Sequence, residues 1–136
     1  MIKKIDHIAI AVRNLEEEIA RYRDVLGLDF LGTEVVPEQK VTVGFFRVGD
    51  VFIELLEPLS ADSPISAFIE KKGGGLHHLA LEVEDIQAAI KELQAKSVQM
   101  LNPEPKLGAH NARIAFAHPK SFSGVLYELK QKGDAS

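Results

Sequence analysis

Asp6-His7-Ile8-Ala9-Ile10-Ala11-Val12 returns 71 residues later as His77-His78-Leu79-Ala80-Leu81-Glu82-Val83, and this repetition decides how the chain is read. Leu15, Ile19 and Tyr22 recur at the same offset as Ile86, Ile90 and Leu93. Phe52-Ile53-Glu54-Leu55 recurs 74 residues on as Leu126-Tyr127-Glu128-Leu129. Each copy therefore sets one histidine and one glutamate in equivalent places. A chain of 136 residues is ordinary for a single domain, so the duplication predicts two half-sized units sharing one core.

The repeated segments are strands by pattern. Residues 2–12 alternate, placing Ile8, Ile10 and Val12 on one face and His7, Ala9 and Ala11 on the other, with the isoleucine face expected in the core. Asn14 followed by Glu17 has the form of a capping box. Leu15, Ile19, Tyr22 and Leu26 keep helical spacing up to Gly27, which predicts a helix over about 15–26. Strands are expected over about 28–36, 41–48 and 51–57, the last two joined at Gly49-Asp50, which completes a βαβββ unit. A short helix starting at Asp62 or Ser63, before Pro64, leads into Gly73-Gly74-Gly75.

The second unit repeats the order: a strand over about 76–84, Asp85 as helix cap, and Ile86, Ile90 and Leu93 as the buried stripe. Further strands are expected near 98–101, 112–118 and 124–130. The Pro- and Gly-rich stretch 102–111 reads as a substrate-contacting loop, and the tail after Lys132 as disordered. The expected fold class is α+β: two tandem βαβββ modules, about 1–60 and 76–132, whose curved mixed sheets surround a central metal-binding cleft in one domain.

Net charge −4 without a basic tract argues against nucleic acid or an anionic membrane as partner. The absence of cysteine excludes disulfides, thiolate metal sites and thiol nucleophiles. Met1-Ile2-Lys3-Lys4 runs straight into a strand pattern, and no segment approaches the roughly 18 apolar residues of a membrane span. The chain is expected to be soluble and cytoplasmic.

Period-two geometry gives the four repeated polar residues their meaning. His7 and His78 share their faces with Ala9 and Ala80, which leaves room for a ligand, and Glu54 and Glu128 each point away from flanking aliphatic or aromatic residues. If the sheet halves curve toward one another, the four side chains meet in one concavity. Two neutral imidazoles with one or two carboxylates suit Zn²⁺, Co²⁺, Mn²⁺, Ni²⁺ or Fe²⁺. A single strand histidine or glutamate is ordinarily a core or surface residue; equivalence in a repeat is what favours the metal reading. His77 should point opposite to His78, in a structural role. His110 and Asn111 are equally readable as pocket or turn residues. Lys106, Arg113 and Lys120 read as solvated residues that could alternatively meet phosphates. Glu16-Glu17-Glu18 complements a helix N-terminus.

The pattern of His, Glu, His and Glu on strands one, four, five and eight of a duplicated βαβββ chain resembles the vicinal oxygen chelate superfamily (glyoxalase and bleomycin resistance proteins) over nearly the whole length. Val36-Pro37-Glu38-Gln39-Lys40-Val41, Glu54-Leu55-Leu56-Glu57-Pro58-Leu59, Asp62-Ser63-Pro64-Ile65, Gly74-Gly75-Leu76-His77-His78, Pro105-Lys106-Leu107-Gly108-Ala109-His110, and His118-Pro119-Lys120 with Gly124-Val125-Leu126 resemble, in that order, the methylmalonyl-CoA epimerases. The resemblance implies a divalent metal (cobalt, zinc, manganese or nickel) held by His7, His78 and Glu128, with Glu54 as a further ligand. It also implies an acyl-CoA substrate and a homodimer. The chemistry implied is proton transfer at the carbon between thioester and carboxylate, through a metal-stabilised enolate. Some epimerases carry a glutamate, a candidate base, where this chain has Val43. That role is therefore not carried over and the acid/base pair stays open; burial that brings a carboxylate's pKa near working pH makes Glu54 or Glu128 a candidate catalytic base beside its implied ligand role. Two other readings are a glyoxalase-type lyase or isomerase acting on a glutathione hemithioacetal, and a non-catalytic module that sequesters an antibiotic.

Overall fold

Residues 1–133 are described in the computed structural model of the protein. They form two compact units, His7–His77 and Met1–Asp6 together with the chain from His78 onward. Strand β1 (Ile2–Ala11) therefore begins in the second unit and ends in the first. Among the described residues no helix is long and apolar enough to cross a membrane.

The first unit continues with α1 (Leu15–Ala20), a π-helical turn (Arg21–Val25), β2 (Asp29–Val36), β3 (Val41–Val48), β4 (Val51–Pro58) and α2 (Pro64–Lys72). Its strands lie in the order β1-β4-β3-β2, with β1 parallel to β4 and the other pairs antiparallel. Asn14 caps α1 as expected, its side chain accepting from the Glu17 amide at 3.0 Å. Ser63 likewise caps α2, and Gly73 ends it in the left-handed conformation (φ 81°). Gly49, at φ 60°, makes the two-residue hairpin between Val48 and Val51, where a side chain would be strained. Gly44 has another reason: a Cβ there would come 3.2 Å from Leu15 Cδ1, so its absence lets α1 settle onto the sheet.

The uninterrupted helix expected over 15–26 is not what forms. The Leu26 amide bonds to the Arg21 carbonyl at 3.2 Å, five residues back, so the last turn is widened. An extra residue in a turn rotates the next side chains off the 3.6-residue stripe. Tyr22 still packs on Phe46 with ring centroids 5.7 Å apart, but Leu26 is 62% exposed. The isoleucine face of β1 packs as expected, with Val12 in the core and half-buried Ile10 against it, but the opposite face of His7, Ala9 and Ala11 is buried too. Both strand faces are covered in this unit. Val12, Leu15, Phe46 and Leu55 form the core on the helix side, and Val43, Phe45 and Leu56 are buried on the histidine side.

The second unit repeats the order with β5 (Gly75–Val83), α3 (Ile86–Ala95), β6 (Lys106–Leu107), β7 (Arg113–Ala117) and β8 (Tyr127–Gln131). Its strand order, β5-β8-β7-β6, matches the first unit term for term, so the fold is α+β with two βαβββ modules, as expected. Ile86, Ala89 and Ile90 of α3 pack on Val83, Ala115, Ala117 and Leu129. The strand expected near 98–101 shrinks to one bridge, Met100 with Ala117, and the strand that pairs with β7 lies inside the expected loop. Asn102 accounts for the difference. Its buried side chain accepts from the Phe116 amide at 2.8 Å and donates to the carbonyls of Glu104 at 3.0 Å and Ile114 at 3.3 Å. A side-chain amide thus takes ladder hydrogen bonds that a strand backbone would otherwise make. Of the tail expected to be disordered, 134–136 lies outside the described residues.

One further match ties strand to helix in each unit. Glu57 accepts from the Leu15 amide at 2.8 Å, and Gln131 accepts from the Ile86 amide at 2.9 Å. Each lies three residues beyond its repeat's glutamate and satisfies an otherwise orphaned amide in the first turn.

Candidate metal centre

Strand register places the two sequence-predicted glutamates in equivalent rows and a predicted histidine on the row beside each. In the first unit Ala9 lies opposite Glu54, which lies opposite Phe45. In the second, Ala80 lies opposite Glu128, which lies opposite Phe116. Directly opposed residues share a face, and His7 and His78 join those faces two residues before each alanine. A small, an acidic and an aromatic residue thus recur side by side, with an imidazole on the neighbouring row.

The donors are drawn together within each unit. His7 Nδ1 lies 3.1 Å from Glu54 Oε2, and His78 Nε2 lies 3.2 Å from Glu128 Oε1. All four residues are buried, and the His78 ring stands edge-on to Phe116 with centroids 5.3 Å apart. Two donors that each approach a transition metal to about 2.1 Å sit about 3.0–3.4 Å apart, depending on whether the geometry is octahedral or tetrahedral. Both pairs have that spacing. Nitrogen and carboxylate oxygen are donors that suit a borderline divalent ion, so each pair fits a metal.

The next row breaks the symmetry. In the first unit it is apolar: Ala11 opposite Leu56, opposite Val43, all buried. In the second it is Glu82 opposite Lys130, opposite Ile114. Lys130 Nζ donates to Asp6 Oδ2 at 2.8 Å, with the two side chains 11% and 2% exposed. Glu82 Oε2 lies 3.3 Å from the Lys3 ammonium and Oε1 3.4 Å from that of Lys132. Oε1 is buried and takes no hydrogen bond among the described residues, where the Lys132 contact is one of charge alone. Sequence reasoning passed over these residues. The signal was in the repeat itself, since the offsets that match the donors also match Ala11 with Glu82 and Leu56 with Lys130.

Other candidates fall outside the rows. His77 points away from His78 and its ring meets Phe68 edge-on, with centroids 4.8 Å apart, the structural role expected of it. His110 and Asn111 are exposed and adopt left-handed backbone in succession (φ 56° and 57°). Lys106, Arg113 and Lys120 are exposed; Lys106 lies opposite Ile114 on the face of Glu128, while Arg113 takes the face of Ala115 and Ala117. Val43 is buried opposite Leu56.

The fold has counterparts among known proteins. The family profile of the Glyoxalase/Bleomycin resistance protein/Dioxygenase superfamily matches residues 6–116. The uncharacterized protein YqjC of Bacillus subtilis is 46% identical over 134 residues, covering 98% of this chain and 96% of its own. The ethylmalonyl-CoA/methylmalonyl-CoA epimerase of Cereibacter sphaeroides is 45% identical over 133 residues, covering 96% of this chain and 99% of its own. A solved structure of a methylmalonyl-CoA epimerase in complex with methylmalonyl-CoA and NH4+ superposes with a TM-score of 0.94 at 34% identity, covering 98% of this chain and 96% of that one. The chain belongs to the glyoxalase/bleomycin resistance/dioxygenase superfamily and, within it, to the family of the methylmalonyl-CoA epimerases.

Proposed function

We propose that this protein is a divalent-metal-dependent epimerase that interconverts (2R)- and (2S)-methylmalonyl-CoA, with His7, Glu54, His78 and Glu128 holding one ion. The observation that carries the reading is the recurrence, in both units, of a buried histidine and glutamate 3.1 and 3.2 Å apart. A bound divalent ion supplies Lewis-acid stabilisation, several kcal/mol, to the enolate left when C2 loses its proton. The chain's own residues do the rest. In the proposal Glu54 and Glu128 move the proton: one carboxylate takes it as the C2–H bond breaks, and the other returns one to the opposite face. Val43 has no titratable group, and the reading assigns the role to the two buried carboxylates beside the histidines. Ala9 and Ala80 leave room beside each carboxylate, and Phe45 and Phe116, opposite them, keep water away.

The proposal treats the two units as halves of one domain, acting in the cytoplasm as a homodimer with an acyl-CoA as substrate. Relatives that bear the epimerase name at 42–45% identity favour this substrate over a glutathione hemithioacetal. Cobalt-loaded protein incubated with (2S)-methylmalonyl-CoA in D₂O should place deuterium at C2 and invert the centre, and a chelator should abolish both. Bound cobalt without exchange at C2 would remove the assignment. Rapid formation of lactoylglutathione would replace it with the glyoxalase-type reading.

A further inference from the structure

A buried ion pair lies one row from the donors, and the proposed proton transfer does not use it. Lys130 shares the face of Glu128, two residues along β8 and so about 7 Å away, while its ammonium is held by Asp6 from β1. Glu82, beside Lys130 in the same row, is instead met from the outside by Lys3 and Lys132. Taking a lysine and an aspartate out of water is costly even when they pair, and apolar replacements of similar volume are often no less stable. This molecule contains its own control. At the matching place the first unit puts Ala11 and Leu56, buried to 2% and 6% exposure, on strands of the same order. The architecture is therefore satisfied by an apolar row, and the charged one needs another explanation.

We propose that Lys130 and Asp6 are positioning residues that fix β8 at Glu128, so that its carboxylate faces His78 Nε2. The catalytic meaning of this rests on the proposed metal site; the positioning itself concerns the protein without metal. The bond from Lys130 to Asp6 links β8 to β1 immediately beyond Glu128, where β8 has one residue left before its end at Gln131. A directional, charge-assisted bond holds one strand offset, whereas a leucine in that place accepts several packings.

The test compares wild type with D6N/K130L, the row transplant D6A/E82A/K130L, and the conservative K130R. Two readouts are taken: the His78 ring nitrogen resonances of metal-free protein, by long-range ¹H–¹⁵N correlation, and Co²⁺ affinity by calorimetry. The two multiple variants should fold, move the His78 ring resonances and bind Co²⁺ about 10–100-fold more weakly, as for loss of an outer-shell partner. K130R should restore both. Wild-type ring resonances and wild-type affinity in a folded D6N/K130L protein would overturn the proposal. Failure of both multiple variants to fold would overturn it equally, because the charges would then serve the fold. Should wild type itself take up no Co²⁺, the metal reading falls, and the metal-free ring resonances still decide the role of Lys130.

Discussion

The His7–Glu54 couple and the His78–Glu128 couple occupy the same strand positions and keep the same neighbours on one side, yet they differ on the other. Both have an alanine and a phenylalanine opposite the glutamate. Beyond that row the first unit is Ala11, Leu56 and Val43, and the second is Glu82, Lys130 and Ile114. The donor atoms differ too: Nδ1 faces the carboxylate in one couple, and Nε2 in the other. What was duplicated is the presentation of donors by β-sheet register. What diverged is the row beyond each carboxylate, apolar in the first unit and charged in the second.

The largest expected effect comes from breaking the couples one at a time. Glu54→Gln and Glu128→Gln should each lower epimerisation by about 10²–10⁴-fold, the usual contribution of a positioned acid or base. They should not be equivalent: each variant should retain C2 exchange from one epimer and lose it from the other, measured by deuterium uptake from separate (2R) and (2S) substrates. Equal loss from both epimers in both variants would assign the glutamates to ligation alone.

Carrying the charge across to the first unit should also be costly. Leu56→Lys places an ammonium where Ala11 and Val43 offer no counter-charge, and it should destabilise the protein by about 3–5 kcal/mol, read from urea unfolding. Smaller effects test the matched helix ties. Glu57→Ala and Gln131→Ala each remove an acceptor from a first-turn amide and should cost about 0.5–2 kcal/mol in thermal or urea melts, with Glu57 the larger because its acceptor is charged. The smallest lies at the surface. The Lys40 ammonium, 2.7 Å away, and the Ser60 hydroxyl hold the Asp62 carboxyl below its usual range. A carboxyl lowered on folding stabilises above its unfolded value and loses that contribution as pH falls through its folded value. Asp62→Asn should therefore lower the melting temperature slightly at neutral pH and converge with wild type in acid, with added salt shrinking the gap.

Much of the fold and of the candidate site was legible in the sequence alone, because the repeat compares the chain with itself. Two offsets locate all four donors, and alternation assigns their faces; cap residues such as Asn14, Ser63 and Asp85 carry their signal within three positions. What escaped depends on contacts between distant residues or on a local change of pitch. Nothing near Leu26 announces that the preceding turn widens, and only the side-chain bonds of Asn102 to residues 12 and 14 positions away explain why 98–101 is not a paired strand. Lys130 and Asp6 are 124 residues apart, so their pairing has no local pattern at all. The charged row itself was visible as a mismatch between the copies, and a reading that looks for sameness passes over it.

The proposed function requires the two couples to serve one ion. Calorimetric titration of metal-free protein with Co²⁺, alongside His7→Ala and His78→Ala, tests it most directly. One ion per chain, with binding weakened strongly by either substitution, is the predicted result. Two ions per chain, or one ion whose affinity responds to only one of the two histidines, would contradict it.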